Sequence, residues 1–194
     1  MGCPLTGLVA GLDEAGRAPL AGPVVSACVV WDGPPPFARE PVNDSKLLSE
    51  KQREYLFGWI HENAYKVGVG IASTEEIERL NIHYASLLSM ERAVAETALA
   101  PRLILVDGLF ALQNAAGSKA VVKGDRKCFY IACASIVAKV VRDRIMVAYD
   151  ANHPQYQWKK NKGYPTPEHK QAILDFGITP IHRKTFKGVK ELTG

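Results

Sequence analysis

The sequence predicts an α/β fold in which a mixed sheet is flanked by helices. Three observations support this prediction: short valine-rich runs bounded by glycine and proline, longer runs that open with helix-capping residues, and the order of both along the chain. Two strand-like runs come first, and strands and helices then mix, as expected of such a sheet. The chain contains no internal repeat and no low-complexity tract.

Five segments have the character of strands. Residues 7–12 and 23–31 are short, apolar and rich in valine, and they fit two neighbouring strands joined by a tight connection. Residues 65–73 alternate in polarity, as a third strand would. The continuous apolar run 102–106 is typical of a strand covered on both faces, and 119–122 is a weaker candidate.

Capping residues predict where two helices begin. Ser49 with Gln52 forms a capping-box signature ahead of a helix over about 50–63. Ser73 with Glu76 forms a second signature, ahead of a long amphipathic helix. The apolar residues that this second helix has available for burial are Ile77, Leu80, Ile82, Leu87, Leu88 and Met90.

Two further helices are expected in the second half of the chain. Residues 129–149 form a helical run that contains several alanines and a serine, small residues that allow close packing. Thr166 and Pro167 are suitable N-cap and first-turn residues for a last helix that ends at Gly177.

Composition indicates an ordinary globular protein with a mild excess of positive charge. The 194 residues suit one compact domain with a sizeable core, and 47% of them are hydrophobic and 23% charged. The formal net charge of +4 is compatible with an anionic partner but does not demand one. Lysines and arginines concentrate in residues 159–190, where aromatic side chains lie among them.

Cysteine usage and the N-terminal sequence predict a cytoplasmic protein. The four cysteines show no CxxC spacing, so a reducing compartment is more consistent with them than a disulfide framework or a zinc site. The N-terminus lacks the basic start and long apolar core of a secretion signal. No apolar run approaches the roughly 20 residues of a membrane helix, so we expect no membrane association.

Four carboxylates follow three of the predicted strands. Asp13 and Glu14 end the first, Asp107 ends the strand at 102–106, and Asp125 follows the run at 119–122. Ligands of open α/β sheets commonly bind at this end of the strands, and clustered carboxylates attract Mg²⁺ or Mn²⁺. Two such ions would support phosphodiester hydrolysis. Because consecutive strand residues face opposite sides, Asp13 and Glu14 converge only if the chain turns there, a turn that Gly16 permits.

The pattern of acids alone leaves an alternative open. A single acid at a strand end is often a solvated turn residue or a helix cap. The pattern alone favours neither this interpretation nor a metal site. Asp143 is expected to form a surface ion pair with Lys139, one helical turn earlier. No histidine pair has the spacing of a zinc site.

Eight blocks of the sequence resemble bacterial ribonuclease HII. They are GLDEAGRAPLAGPVVSACVV, NDSKLLSEKQRE, LNIHYASLLSMERAV, LILVDG, VVKGD, IACASIVAKVVRDRIM, HPQYQWKKNKGYPTPEH and PIHRKTF, and they cover about residues 8–186 in family order. The resemblance implies a ribonuclease H-like core over 1–152 and a small C-terminal helical extension over 153–194 that contributes to substrate binding. It also implies metal-dependent cleavage of the RNA strand of RNA–DNA hybrids, and cleavage 5′ to single ribonucleotides embedded in duplex DNA.

The resemblance assigns roles to individual residues. Asp13, Glu14, Asp107 and Asp125 match the catalytic, metal-binding carboxylates of the family. Tyr164 matches the tyrosine that stacks near the junction of ribonucleotide and deoxyribonucleotide.

Gly16 and Arg17 match the first two positions of the loop that senses the 2′-hydroxyl, but Ala18 stands where the family usually has glycine. Pro19 already biases position 18 toward extended backbone, so we do not expect this position to require a positive φ. We therefore expect the methyl group of Ala18 to lie against the ribose and to weaken recognition of the 2′-hydroxyl without abolishing it.

Two polar residues are weaker candidates for substrate binding. Ser45 and Lys46 follow a proline-rich loop and precede a helix, so they can contact phosphates. The alternative is a solvated loop in which Ser49 alone has a structural role, as the cap of the helix.

Two rival functions remain at this point. One is a DNA-directed nuclease of the same fold, which would not require a 2′-hydroxyl. The other is a protein that binds hybrids without cutting them, although such a protein would gain nothing from acids facing phosphates. The resemblance implies a monomer.

Overall fold

The computed structural model describes residues 7–34 and 45–192, and the predicted sheet is present. Its strands lie close to the predicted runs, with shifts of one to three residues at their ends. They are β1 (Leu8–Ala15), β2 (Val24–Asp32), β3 (Lys66–Ala72), β4 (Leu103–Asp107) and β5 (Ser118–Val121).

The sheet is mixed, as the sequence predicts. Its strand order is β3-β2-β1-β4-β5. β1, β2 and β3 form an antiparallel meander, whereas β4 lies parallel to both β1 and β5. The parallel strands β1, β4 and β5 therefore end at the same edge of the sheet, where open α/β sheets commonly bind their ligands.

Helices cover both faces of the sheet. Their bounds are α1 (Glu50–Asn63), α2 (Thr74–Thr97), α3 (Phe129–Asn152), α4 (Trp158–Asn161) and α5 (Pro167–Phe176).

Each face carries its own apolar core, because successive residues of a strand point to opposite sides. Val9 of β1 packs with α1 and α3, whereas Ala10 and Leu12 pack with α2. Gly11 lets α3 lie directly on β1, since a Cβ atom there would come within 1.9 Å of the Tyr130 carbonyl oxygen.

The predicted caps are confirmed. Ser49 and Gln52 form a reciprocal capping box at the start of α1, and Ser73 and Glu76 do the same for α2. The Thr166 hydroxyl accepts a hydrogen bond from the backbone N–H of His169, and α5 ends before Gly177 as expected. These elements form where predicted because their signals are local.

The expectation of one uninterrupted helix over α2 is wrong, because the helix breaks at one residue. Asn81 has φ 66° and ψ 167°, which breaks the helical geometry. Its side-chain oxygen accepts hydrogen bonds from the backbone N–H groups of His83 and Tyr84, so Asn81 serves as a cap for a second helical segment. Of the apolar residues expected to be buried, Ile77 and Met90 are buried, and the rest are half-buried.

The C-terminal segment packs around a cluster of aromatic rings. Tyr156 and Trp158 stack at 4.9 Å, and Leu20 and Ala21 of the β1–β2 connection lie in the same apolar cluster. α3 ends at Asn152, directly before the predicted boundary of the extension. Across residues 7–34 and 45–192, no helix is both long and apolar enough to span a membrane.

Candidate active site

Asp13 and Glu14 lie on opposite faces of β1. The strand continues through both residues, which pair with Ala27 and Ser26 of β2. The expectation of a turn at this dipeptide is therefore wrong. Asp13 points to the α3 face and Glu14 to the α2 face. Both still line one cleft, because β1 ends one residue later, at Ala15.

Asp107 lies beside Asp13 on the neighbouring strand. The parallel register pairs Leu12 with Val106, so the next residues along, Asp13 and Asp107, are adjacent at the strand ends. The Asp107 carboxylate accepts a 2.7 Å hydrogen bond from the backbone N–H of Gly124, the residue before Asp125.

Asp125 lies beyond the end of β5 and not on it. The strand stops at Val121, and Asp125 belongs to a 3-10 turn over Gly124–Arg126. Its side chain is buried, and the Lys46 ammonium lies 3.7 Å from one carboxylate oxygen. The Gly124–Asp107 hydrogen bond therefore ties this turn to the edge where the other acids lie.

Burial makes the charge on these acids costly. Burial raises the pKa of Asp13 well above its usual range, and the nearby Glu14 and Asp107 raise it further. Burial also raises the pKa of Glu14, although the Arg17 guanidinium, 3.1 Å from its carboxylate, acts in the opposite direction. A cation that binds between these groups would remove that cost.

The donor set fits a hard divalent cation. Carboxylate oxygens are the ligands that Mg²⁺ and Mn²⁺ prefer, and Asp13, Glu14 and Asp107 present them to one cleft. Within the described ranges, however, no three His, Cys, Asp or Glu side chains already form a group that could hold a metal ion. The chemistry of the site thus suits a metal, whereas the side chains are not yet gathered around one.

The loop after β1 borders the same cleft. Gly16 has a φ of 101°, and a Cβ atom there would lie 2.1 Å from Nε of Arg142, so only glycine fits. Arg17 and Ala18 are exposed and line the cleft. Ala18 is not among the residues with positive φ, which confirms that this position does not need glycine for its backbone conformation.

Ser45, Lys46 and Tyr164 line the cleft as well. Ser45 is buried, and its hydroxyl lies 2.9 Å from that of Ser135, so the solvated-loop alternative is wrong for this residue. Tyr164 is 36% exposed, so a ligand in the cleft can reach it. Its ring centroid lies 5.9 Å from the Lys139 ammonium.

Sequence reasoning missed two residues of α3 that line the cleft, Ser135 and Lys139. The two residues are one helical turn apart, so they lie on the same face of the helix. This spacing is visible in the sequence and could have predicted that they lie together. Lys139 also forms the expected ion pair with Asp143, with oxygens at 2.5 and 2.7 Å. Asp143 is buried, so the expectation of a surface pair is wrong.

Comparison with known proteins identifies the family. The family model for ribonuclease HII matches residues 10–189. A ribonuclease HII from Shewanella sediminis is 49% identical over 193 residues, which cover 95% of this chain and 90% of the relative. One from Ruegeria pomeroyi is 50% identical over 185 residues, which cover 95% of this chain and 78% of the relative.

The chain belongs to the ribonuclease HII family. It is accordingly an endoribonuclease that acts on RNA–DNA hybrids.

Solved structures confirm the ribonuclease H-like fold. The ribonuclease H2 from Pyrococcus horikoshii OT3 superposes with a TM-score of 0.81 at 28% identity, over 95% of this chain and 96% of that one. Bst-RNase HIII in complex with Mn²⁺ superposes with a TM-score of 0.73 at 18% identity, over 96% of this chain and 69% of that one. The second likeness concerns the fold alone.

Proposed function

We propose that this ribonuclease HII cuts on the 5′ side of single ribonucleotides embedded in duplex DNA, as well as within the RNA strand of hybrids. The observation that carries the proposal is one cleft that joins Asp13, Glu14 and Asp107 to the Gly16–Ala18 loop and to Tyr164. Acids that serve hydrolysis thus lie next to groups placed to sense a ribose and a base.

The residues divide into three roles. Asp13, Glu14, Asp107 and Asp125 bind two divalent ions, which when bound supply an activated water and neutralise charge on the leaving oxygen. Gly16, Arg17 and Ala18 face the 2′-hydroxyl in the shallow minor groove of the hybrid. These roles follow the family pattern. The shared cleft supports them for every residue except Asp125, whose turn is tied to the cleft by the hydrogen bond from Gly124 to Asp107.

The third role is contact with the nucleic-acid strand. Tyr164 offers a partly exposed ring on which the base pair at the ribonucleotide–deoxyribonucleotide junction can stack. Lys46 and Ser45 line the same cleft, which supports a contact with a phosphate, and such a contact positions a duplex without reading its sequence.

Hydrogen bonds among these residues hold the acids in place. The backbone N–H of Glu14 donates to the Asp13 carboxylate at 2.7 Å, and Arg17 donates to Glu14 at 3.1 Å. Lys46 offsets the charge of Asp125 until a cation takes its place, which would leave the ammonium available to a phosphate.

The test uses an end-labelled DNA duplex with one internal ribonucleotide, beside an all-DNA duplex of the same sequence. Wild type and Asp13→Asn are incubated with Mg²⁺, with Mn²⁺ and with EDTA. We expect cleavage 5′ to the ribonucleotide that requires metal and is undetectable in Asp13→Asn, because the amide cannot replace a charged ligand. The comparison of the two metals identifies the preferred ion.

Other outcomes would overturn the proposal. Binding of the duplex without cleavage in either metal would make the chain a hybrid-binding protein. Equal cleavage of the all-DNA duplex would make it a DNA nuclease.

We also propose that the enzyme is a cytoplasmic monomer whose extension over 153–194 contributes to substrate binding. Cys28, Cys128 and Cys133 are free thiols, which suits a reducing compartment. Tyr164 and Arg183, both in this segment, meet the residues at the end of β1. Light scattering coupled to size exclusion gives the mass in solution, and a dimeric mass would contradict the monomer.

A further inference from the structure

Two arginine side chains are completely buried beneath the candidate active site. Arg142 of α3 and Arg183, which follows α5, are both 0% exposed. A buried charge normally needs an opposite charge or a full set of hydrogen bonds. Within residues 7–34 and 45–192, all the hydrogen bonds that these two guanidinium groups donate end on backbone carbonyl oxygens.

Arg183 holds the connection between β1 and β2, residues 16–23. Its guanidinium donates to the carbonyl of Gly16 at 2.6 Å and to that of Arg17 at 3.0 Å. It also donates to the carbonyls of Gly22, at 2.8 and 2.9 Å, and Pro23, at 3.2 Å. One planar group therefore fixes both ends of the loop, which the fork of five N–H donors on arginine allows and a lysine ammonium does not.

This arrangement orients the backbone toward the cleft. In a trans peptide the carbonyl and the following N–H point in opposite directions. Because the carbonyls of Gly16 and Arg17 point inward to Arg183, the N–H groups of Arg17 and Ala18 point away from it. Neither N–H donates to an acceptor among the described residues, so both are available to a ligand.

Arg142 joins the same loop to the segment that carries Tyr164. It donates to the carbonyls of Ala21 and Pro23, both at 3.1 Å, and to that of Lys162 at 3.0 Å. Lys162 lies two residues before Tyr164.

Backbone contacts reinforce this junction. The Leu20 N–H donates to the Gly163 carbonyl at 2.8 Å, and Ala21 forms an isolated β-bridge with His182. The loop and the Tyr164 segment are therefore held against each other by Arg142 and the backbone.

We propose that Arg142 and Arg183 are positioning residues for substrate selection, holding the loop and Tyr164 in one fixed spacing beside the acids. The proposal rests on the proposed function, because it assumes that the loop and Tyr164 together recognise a ribonucleotide followed by DNA. Neither arginine touches the substrate, since both are buried. Their effect is on the geometry of groups that do.

The experiment compares two substrates cut by the same enzyme. One is a DNA duplex with a single ribonucleotide, and the other is a hybrid with a continuous RNA strand, both with Mg²⁺ or Mn²⁺. The measured quantity is the ratio of their kcat/KM values, obtained from mixtures of the two. Because the amount of folded enzyme cancels in this ratio, a variant that is partly unfolded still gives a valid value.

The variants are Arg142→Lys and Arg183→Lys, with Arg144→Lys as the matched control. Arg144 lies on the same helix as Arg142 but is exposed and ion-paired with Glu54. We expect the ratio to fall by about tenfold in each buried variant, since small displacements of positioning groups cost that much or more. In Arg144→Lys it stays within about twofold of the wild type, because exposed ion pairs contribute little.

Free guanidinium provides a second readout with Arg183→Ala. At low millimolar concentration it is expected to restore part of the ratio by occupying the vacated site, whereas sodium chloride at equal ionic strength does not. A ratio near one in the wild type, or unchanged in both lysine variants, would overturn the inference. Absence of cleavage by the wild type would instead overturn the proposed function.

Discussion

Replacing Gly16 by alanine tests how tightly the connection between β1 and β2 is packed against α3. The new Cβ atom would lie 2.1 Å from Nε and 2.5 Å from Cδ of Arg142, and 2.7 Å from the Pro23 carbonyl oxygen. The backbone is also in the left-handed region, at φ 101°. The substitution therefore combines backbone strain with the displacement of a buried, hydrogen-bonded side chain.

The two contributions can be estimated separately. A non-glycine residue in an unfavourable backbone region costs about 1–3 kcal/mol. Pushing the Arg142 guanidinium away from the Pro23 carbonyl removes a charged hydrogen bond, which costs about 1.5–3 kcal/mol when the donor stays buried. We therefore expect Gly16→Ala to lower the free energy of unfolding by about 2.5–6 kcal/mol.

Gly177→Ala is the matched control. Gly177 also has a positive φ, of 75°, but a Cβ atom there would meet nothing within 4 Å. This variant therefore reports strain alone, about 1–3 kcal/mol. Urea unfolding followed by circular dichroism measures both variants. Equal losses in the two proteins, within about 0.5 kcal/mol, would show that the contact between Gly16 and Arg142 does not stabilise the fold.

Three further predictions follow from the site and its surroundings. Ala18→Gly is expected to raise the preference for a ribonucleotide-containing strand over all-DNA, measured as competitive binding, and an unchanged preference would show that the methyl group does not crowd the ribose. Lys139→Met leaves the buried Asp143 without its partner and should lower the free energy of unfolding by about 3–5 kcal/mol, whereas Lys139→Met with Asp143→Leu should lose clearly less in the same urea titration. Burial, helped by His169, lowers the pKa of His182 to about 4. The pKa of histidine in the unfolded chain is about 6.5. The contribution of neutral His182 to the free energy of unfolding is therefore complete above pH 6.5, and about 3 kcal/mol of it is lost as the pH drops toward 4. His182→Gln should flatten that slope between pH 7 and 5, and a slope equal to that of the wild type would contradict the assignment.

Sequence reasoning succeeded where the signal is local. The capping pairs Ser49–Gln52 and Ser73–Glu76 lie within one helical turn, so the residues that stabilise each helix start are visible together. Asp13, Glu14 and Asp107 were predictable for a similar reason, because each lies at the end of an apolar run, whereas Asp125 lies beyond β5 in a 3-10 turn. That Asp13, Glu14 and Asp107 lie at one edge then follows from the parallel arrangement of β1 and β4.

What the sequence did not reveal depends on contacts between distant segments. In the sequence, Arg142 and Arg183 cannot be told from surface charges. The structure shows that they donate hydrogen bonds to six backbone carbonyls. Lys139 was predicted to lie on the surface because its helix face was assigned without knowing where the cleft lies. The break at Asn81 was missed because the residues on both sides of it suit a continuous helix. The hydrogen bonds from the backbone N–H groups of His83 and Tyr84 to the Asn81 side chain become visible only in the structure.

The hydrogen bond between Gly16 and Arg183 spans 167 residues of sequence, and this has a consequence for how the enzyme is made. A ribosome adds roughly 5–20 residues per second, so Gly16 is synthesised on the order of 10 s before its partner guanidinium exists. During that interval a nascent chain already carries Asp13, Glu14 and Asp107, but Arg183 does not yet hold the carbonyls of Gly16 and Arg17. Under the role proposed for Arg183, newly translated protein acquires its acids first and its substrate selectivity last, when the segment containing Arg183 emerges and docks.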